Sequence, residues 1–198
     1  MNLTTIKIET CDCFWNDLFT EEELDNITEY CDNFQITKAR IGNLSGEDTP
    51  EDKRKSNVAF IVRDNENDWF FSKIESAANK INSKFYGFDI YKLNSLQYTL
   101  YDEVGSHYDW HWDMFVGNTL DNINDGPQRK LSAVMQLSHP DDYEGGDLEI
   151  NNCGNHNVIE KKRGLVTFFP SFVVHKVNPV ESGVRKTLIA WFTGPDWR

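Results

Sequence analysis

His111-Trp112-Asp113, with His175 far downstream and Arg185 ten residues beyond it, is the set of residues in this 198-residue chain best suited to chemistry. On a β-strand, residues i and i+2 project to the same face. A His-x-Asp pair therefore presents an imidazole and a carboxylate together, and a third ligand can arrive from another strand. Two histidines and one carboxylate on one side of a metal suit non-heme Fe(II), with the opposite positions open to a cosubstrate and oxygen. His107-Tyr108-Asp109 has the same spacing, and the histidines at 107, 111, 139, 156 and 175 allow other triads, so spacing alone leaves two proximal pairs open.

Arg185 stands among Val184, Leu188, Ile189, Ala190 and Trp191. Strand parity puts Arg185, Thr187, Ile189 and Trp191 on one face of what reads as an apolar-sided sheet. A buried guanidinium requires an anion, and that strand carries no acidic residue. A dicarboxylate ligand would supply one through the bidentate geometry that guanidinium favours.

The elements that must position these groups fall into two parts. Residues 3–8 read as a short strand. Thr20-Glu-Glu-Glu23 is a capping-box signature opening a helix with Leu24, Ile27, Tyr30 and Cys31 at helical spacing. A strand near 34–41 leads into a polar, Gly/Pro-punctuated surface loop over 42–57, whose Lys53-Arg54-Lys55 run reads as solvated. Val58–Val62 is a short strand, and Trp69, Phe70, Ile74, Ala77, Ala78 and Ile81 form the apolar stripe of a second helix ending before Gly87. From residue 88 onward, short β-branched and aromatic runs alternate with turn signals at 94–102, 107–115, 130–138, 147–151, 156–160, 164–169, 173–177 and 184–193. About eight strands without intervening helices predict a mainly β chain with α: a double-stranded β-helix (jelly-roll) core flanked by N-terminal helices. The expected organisation is one domain over 1–198, with 1–87 as helical support and 88–198 as the catalytic core.

The formal charge of −12 opposes attraction to phosphate backbones and anionic membranes, so neither nucleic acid nor membrane is an expected partner. Cys11, Cys13, Cys31 and Cys153 contain no Cys-x-x-Cys pair, which argues against a zinc or iron–sulfur site. The N-terminus lacks a signal-peptide pattern, and the cysteines read as free thiols of a cytoplasmic protein. Oligomeric state is not legible. His139, beside a proline in a turn, and His156, in a polar stretch, read as structural or exposed.

Residues ~91–193 resemble the 2-oxoglutarate and Fe(II)-dependent oxygenases, specifically the prolyl 4-hydroxylase-like branch. The segments follow in family order: a tyrosine–glycine lead-in, His-x-Asp, Arg129-x-x-Ser132, Tyr143-Glu-Gly-Gly-Asp-Leu148, Phe168-Phe-Pro-Ser171, the distal His175 and Arg185-x-Thr187. The family's proximal strand carries a second tyrosine three residues before its ligand histidine. Tyr101, Gly105, Tyr108 and His111 match that pattern, which selects His111 and Asp113 over the earlier pair; His107 and Asp109 would then share their strand face at the pocket mouth.

The resemblance implies Fe(II) on His111, Asp113 and His175. It also implies 2-oxoglutarate held at its far carboxylate by Arg185 with Thr187, with Tyr101 facing it and Trp191 packing beside it. Gln136 stands where many relatives carry an aromatic hydroxyl. Trp110, Trp112 and Phe115 would help to keep the pocket dry, with Trp112 turned from the iron. Dioxygen is the co-reactant and ascorbate a further candidate cofactor. The implied reaction hydroxylates an unactivated C–H and yields succinate and CO2. A prolyl residue of a peptide or protein is the favoured substrate, with a free amino acid or other small molecule as the alternative, and the 42–57 loop and the 115–126 segment would flank the groove. A nucleic-acid dealkylase would carry a second arginine where this chain has Trp191. A non-oxygenase, cupin-like metal protein would need no Arg185, and a non-catalytic binding module would not need the ligand set.

Overall fold

The computed structural model describes residues 12–41, 50–114, 128–152 and 154–197. The expected strand at 3–8, loop residues 42–49, the segment 115–127, and Cys11 and Cys153 lie outside them. In chain order the elements begin with β1 (Cys13–Trp15), α1 (Glu21–Asp32), β2 (Thr37–Lys38), β3 (Arg54–Lys55), β4 (Asn57–Val62) and α2 (Asp68–Ile81). A π-turn then leads to β5 (Ser95–Tyr101), β6 (His107–His111), β7 (Gln128–Gln136), β8 (Tyr143–Gly145) and β9 (Leu148–Asn152). The chain closes with β10 (Asn155–Val158), β11 (Val166–Pro170), β12 (His175–Val177), β13 (Val180–Gly183) and β14 (Arg185–Gly194).

Both helices form for the reasons legible in the sequence. Thr20 Oγ1 accepts from the Glu23 amide while Glu23 Oε2 accepts from the Thr20 amide, closing the capping box at the start of α1. Leu24, Ile27 and Cys31 are buried on one face of α1. In α2 the stripe shifts by one side chain: Phe71 is buried beside Phe70, while Trp69 is half exposed and packs edge-on to Phe19. The helix ends through the π-turn and left-handed Gly87. Each helix is tied to the sheet by an arginine with two carboxylate partners. Arg63 pairs with Asp68 and Glu75, and Arg163 with Glu21 and Asp25.

The β part is the expected jelly-roll. A seven-stranded antiparallel sheet in the order β1-β11-β7-β14-β5-β4-β2 faces a five-stranded sheet in the order β10-β9-β12-β6-β3, and β8 pairs with β13 at one end. Alternation sorts each central strand into two layers. Leu131, Ala133 and Met135 of β7, and Leu188, Ala190 and Phe192 of β14, pack toward the helices. Tyr101, Val134, Phe169, Leu148, Ile150 and Val177 meet between the sheets. The N-terminal region does more than support this core, since β1, β2 and β4 extend the large sheet and β3 extends the small one.

Two expectations for this region are corrected. The strand expected over 34–41 is only the two residues of β2. The run Lys53-Arg54-Lys55 is not a solvated loop: Arg54 and Lys55 pair with Tyr108 and His107 of β6, and Arg54 is buried. Two residues carry no readable periodicity, and here the partner strand, not local sequence, makes the strand.

Candidate metal centre and its cavity

β6 and β12 are neighbours in the small sheet, and their register sets His111 directly opposite His175. The two rings lie 4.2 Å apart, centroid to centroid. Asp113 follows two residues after His111, beyond the strand end. Candidate ligand atoms of His111, Asp113 and His175 all fall within 4.8 Å of one another. His111 Nδ1 lies 2.8 Å from the Asp109 carbonyl and His175 Nδ1 lies 3.0 Å from the Val173 carbonyl. Those carbonyls can only accept, so each Nδ1 carries the proton and each Nε2 keeps its lone pair. The two Nε2 atoms stand 3.8 and 3.7 Å from the Asp113 carboxylate oxygens, too far to hydrogen-bond but placed around a common point.

Electrostatics agree with a ligand set. Burial, helped by His175 alongside, pushes the His111 pKa down to about 3, so its imidazole is neutral at physiological pH. Burial pushes the Asp113 carboxyl up, but His175, His111 and the Ser132 hydroxyl outweigh it and hold the group below the usual carboxylate range. The result is an anion and a neutral imidazole lone pair facing one point, together with His175, which is the donor set a divalent cation requires.

Asp113 is positioned by two motifs. Ser132 Oγ donates to its Oδ2 at 2.7 Å and lies 2.9 Å from Ser171 Oγ. The Ser171 carbonyl accepts from the backbone amides of Asp113 and Met114. Arg129-x-x-Ser132 and Phe168-Phe-Pro-Ser171 thus have a shared physical purpose: they fix a carboxylate that no strand holds. Ser132→Ala is expected to weaken divalent-metal affinity about 10–100-fold, as is typical for lost supports of a ligand. A metal titration reads this directly, and an unchanged dissociation constant would assign Ser132 to packing alone.

The triad opens into a cavity of about 650 Å³. Tyr101, Arg185 and Thr187 form its inner end, Val134, Ile189, Trp191 and the buried Arg54 its wall, and Phe60, Trp110 and Trp112 lie toward the outside. Arg185 is 1% exposed. Its Nε and Nη2, together with Thr187 Oγ1 and Trp191 Nε1, are buried without a hydrogen-bond partner. The Trp191 indole is aimed toward Asp113 without closing a hydrogen bond. Its ring carries the Arg129 guanidinium 3.6 Å above it. Partial compensation for Arg185 comes from the Tyr101 ring, 5.0 Å from the guanidinium carbon.

The second of the paired glycines serves this residue. At Gly146 φ is +63°, and a Cβ there would sit 3.0 Å from Arg185 Cδ, so only glycine lets the turn close over the arginine stem without strain.

Other expected residues fall differently. Gln136 is the register partner of Thr187 and is buried, but it does not line the cavity. Phe115 lies outside the described residues. His107 and Asp109 do not line the cavity either. A register irregularity between β6 and β12 places Tyr108 on the inner face with His111, the rings stacked at 3.4 Å. His107 instead reaches the carbonyls of Gly105 and Asp52, and Asp109 pairs with Lys53. Trp112 follows the end of β6, so strand parity does not govern it; it is 52% exposed and lines the outer part of the cavity. Missed from sequence were Ser132 as the Asp113 support, and Arg40, Arg54, Phe60 and Gln97 as lining groups. Ser132 was findable through its motif. Arg54 was not, because a basic triplet has the signature of a solvated run.

Comparison with known proteins agrees with this geometry. Residues 96–193 match the model of the 2OG-Fe(II) oxygenase superfamily. PKHD-type hydroxylases from Janthinobacterium sp. (strain Marseille) and Colwellia psychrerythraea (strain 34H / ATCC BAA-681) are 33% identical over 89 residues and 39% identical over 61 residues. Those alignments take in 45% and 31% of this chain but only 39% and 27% of the relatives, so the chain spans well under half the length of the curated proteins it matches. Among solved structures, a Pseudomonas putida prolyl-4-hydroxylase superposes with TM-score 0.72 at 20% identity, covering 94% of each chain. A Trichoplax adhaerens prolyl hydroxylase, solved with a hypoxia inducible factor peptide fragment, gives 0.71 at 17% identity over 92% of this chain and 83% of that one. The fold is therefore shared with prolyl hydroxylases over nearly the whole chain. With the matched segment carrying the His111–Asp113–His175 cluster and the buried Arg185 in one cavity, the chain belongs to the 2OG-Fe(II) oxygenase superfamily.

Proposed function

We propose that this chain is a 2-oxoglutarate- and Fe(II)-dependent dioxygenase that hydroxylates an unactivated C–H, a prolyl residue of a peptide or protein, with succinate and CO2 as coproducts. The observation that carries the reading is Arg185: a buried cation with unpartnered nitrogens in the same cavity as a two-histidine, one-carboxylate cluster. Membership of the superfamily implies Fe(II), 2-oxoglutarate and O2 as the cofactor set, and the residues fit it. His111, Asp113 and His175 would hold the metal; Arg185, with Thr187, would take the distal carboxylate. When bound, the metal and cosubstrate together supply the oxidation that breaks the C–H bond.

The chain's own contribution is placement and exclusion. The carbonyls of Asp109 and Val173 hold both imidazoles in the ligating tautomer, and Ser132 holds the carboxylate. Arg185 would fix the far end of the cosubstrate against Tyr101, so that its other end reaches the cluster in one orientation. Val134, Ile189 and Trp191 close the wall against water. The prolyl assignment is supported by the shared fold with prolyl hydroxylases, one of them solved with a peptide.

A free amino acid or other small molecule is the second reading, since the cavity alone would admit one. Cys13 and Cys31 are free and buried, as in a cytoplasmic protein, and no helix among the described residues is long and apolar enough to cross a membrane. We take residues 1–198 as one domain, with no nucleic-acid or membrane partner.

The test is conversion of 2-oxoglutarate to succinate by the purified protein with Fe(II), followed by mass spectrometry of peptide pools for a +16 Da product that depends on cosubstrate. The reading fails if 2-oxoglutarate neither binds nor turns over.

A further inference from the structure

We infer that the substrate is an acidic peptide, whose carboxylates are met by Arg54 and Arg40 in a groove running from the metal centre across the inner face of β4 and β2. The inference rests on the hydroxylase reading above and names its substrate class.

The charge at the site is the reverse of the charge of the chain. Acidic side chains outnumber basic ones 32 to 20. Yet among the described residues lining the cavity, Asp113 is the sole acid, and it belongs to the metal cluster. Four arginines face the same space: Arg40, Arg54, Arg129 and Arg185. Arg185 belongs to the cosubstrate, which leaves a cationic mouth on an anionic protein.

Arg54 is the decisive residue. It is 6% exposed, stacks over the Tyr108 ring at 4.4 Å and donates through Nε to Ser56 Oγ at 2.9 Å. No carboxylate among the described residues lies within ion-pair distance of it. Elsewhere the fold supplies acids to its half-buried arginines without difficulty: Arg63 has Asp68 and Glu75, and Arg163 has Glu21 and Asp25. Burying a guanidinium without an anion is costly, so a cation left unmatched on a cavity wall points to an anion that arrives with a ligand. Arg40, exposed at the rim of the same space, extends the positive potential outward.

Length argues for a peptide over a single amino acid. A second hollow of about 550 Å³ adjoins the first and shares Arg40, Arg54, Phe60 and Gln97 with it. Thr37, Lys38, Ala39 and Val58 complete its lining, and none of its lining residues is acidic. Phe60, 59% exposed, projects from β4 toward this groove and offers an apolar contact between the arginines and the edge of the sheet. An extended chain can therefore place a proline at the metal, a carboxylate on Arg54 and Arg40, and an apolar side chain on Phe60.

The experiment is fluorescence anisotropy of labelled proline-centred peptide pools whose flanking positions carry Asp and Glu, Asn and Gln, or Lys, measured independently of turnover. The acidic pool is expected to bind at least ~10-fold more tightly than the amide pool, the scale of one charge-assisted pair, and to weaken with salt. Arg54→Gln and Arg40→Gln should each pull the acid-to-amide affinity ratio toward one. Arg40→Glu, at an exposed position where folding is not at stake, should bring it below one. Absence of binding by the acidic pool, equal binding of the amide or lysine pools, or competition by free proline where peptides fail would each overturn the inference. Failure of the hydroxylase reading is distinguishable, because it appears as absent succinate formation while the acid preference in anisotropy persists.

Discussion

Arg185→Met is expected to raise the apparent KM for 2-oxoglutarate at least ~30-fold, the low end of what truncating one partner of a buried charge pair costs. It should do so without destabilising the cosubstrate-free protein. The second half of that expectation separates a ligand anchor from a structural arginine. Arg185 is 1% exposed, and two of its nitrogens lack partners. Its compensation is the face of Tyr101 at 5.0 Å, which is worth ~0.5–2 kcal/mol, against a desolvation penalty of several kcal/mol for a buried ion. Methionine fills similar space along the stem over Gly146 and carries no charge. The metal-free, cosubstrate-free variant should therefore melt no lower than the wild type. Wild-type protein should gain thermal stability when 2-oxoglutarate is added, and the variant should not. If Arg185→Met melts well below the wild type and keeps the same KM, the guanidinium is holding the sheet together and not a cosubstrate.

What could be read in advance, and what could not, follows from the range of the interactions. The jelly-roll was legible because β7, β11 and β14 carry alternating side chains long enough to show period two, with Leu131, Ala133 and Met135 on one side and Ser132 and Val134 on the other. Capping at Thr20 and the stripe of α2 are equally local. Arg185 was legible because a charged residue inside an apolar strand contradicts its surroundings. Three things were not. β3 exists only through its pairing with β6, so Arg54 looked solvated until the register turned it onto Tyr108. The irregularity of β6 exchanges the faces of Tyr108 and Asp109, which no alternation rule anticipates. The β8–β13 pair joins residues some 35–40 positions apart in three- and four-residue strands, too short to show a pattern alone.

Asp113→Asn is expected to abolish hydroxylation and the metal-dependent gain in stability together, while leaving the metal-free fold intact. In wild-type protein a divalent metal that binds only the folded state, at a hundred times its dissociation constant, adds ~2.7 kcal/mol. For a chain of this size that is about 5–10 °C in melting temperature. Asparagine keeps the volume of Asp113 and an oxygen for the Ser132 hydroxyl, so the contact at 2.7 Å can persist. What disappears is the negative charge, the one anion between two imidazoles held in the ligating tautomer by the Asp109 and Val173 carbonyls. Removing the buried carboxylate removes its desolvation cost together with the interactions that outweigh it and hold its pKa down, so the metal-free melting temperature should fall only modestly. His175→Ala is the harsher companion: it deletes a ligand and the ring packed 4.7 Å from Phe169, so its metal-free form should melt lower than that of Asp113→Asn. The two variants are then expected to differ in stability and to agree in losing the metal response. A metal-induced shift that survives Asp113→Asn would mean that the ion binds elsewhere, and the triad would lose its claim to it.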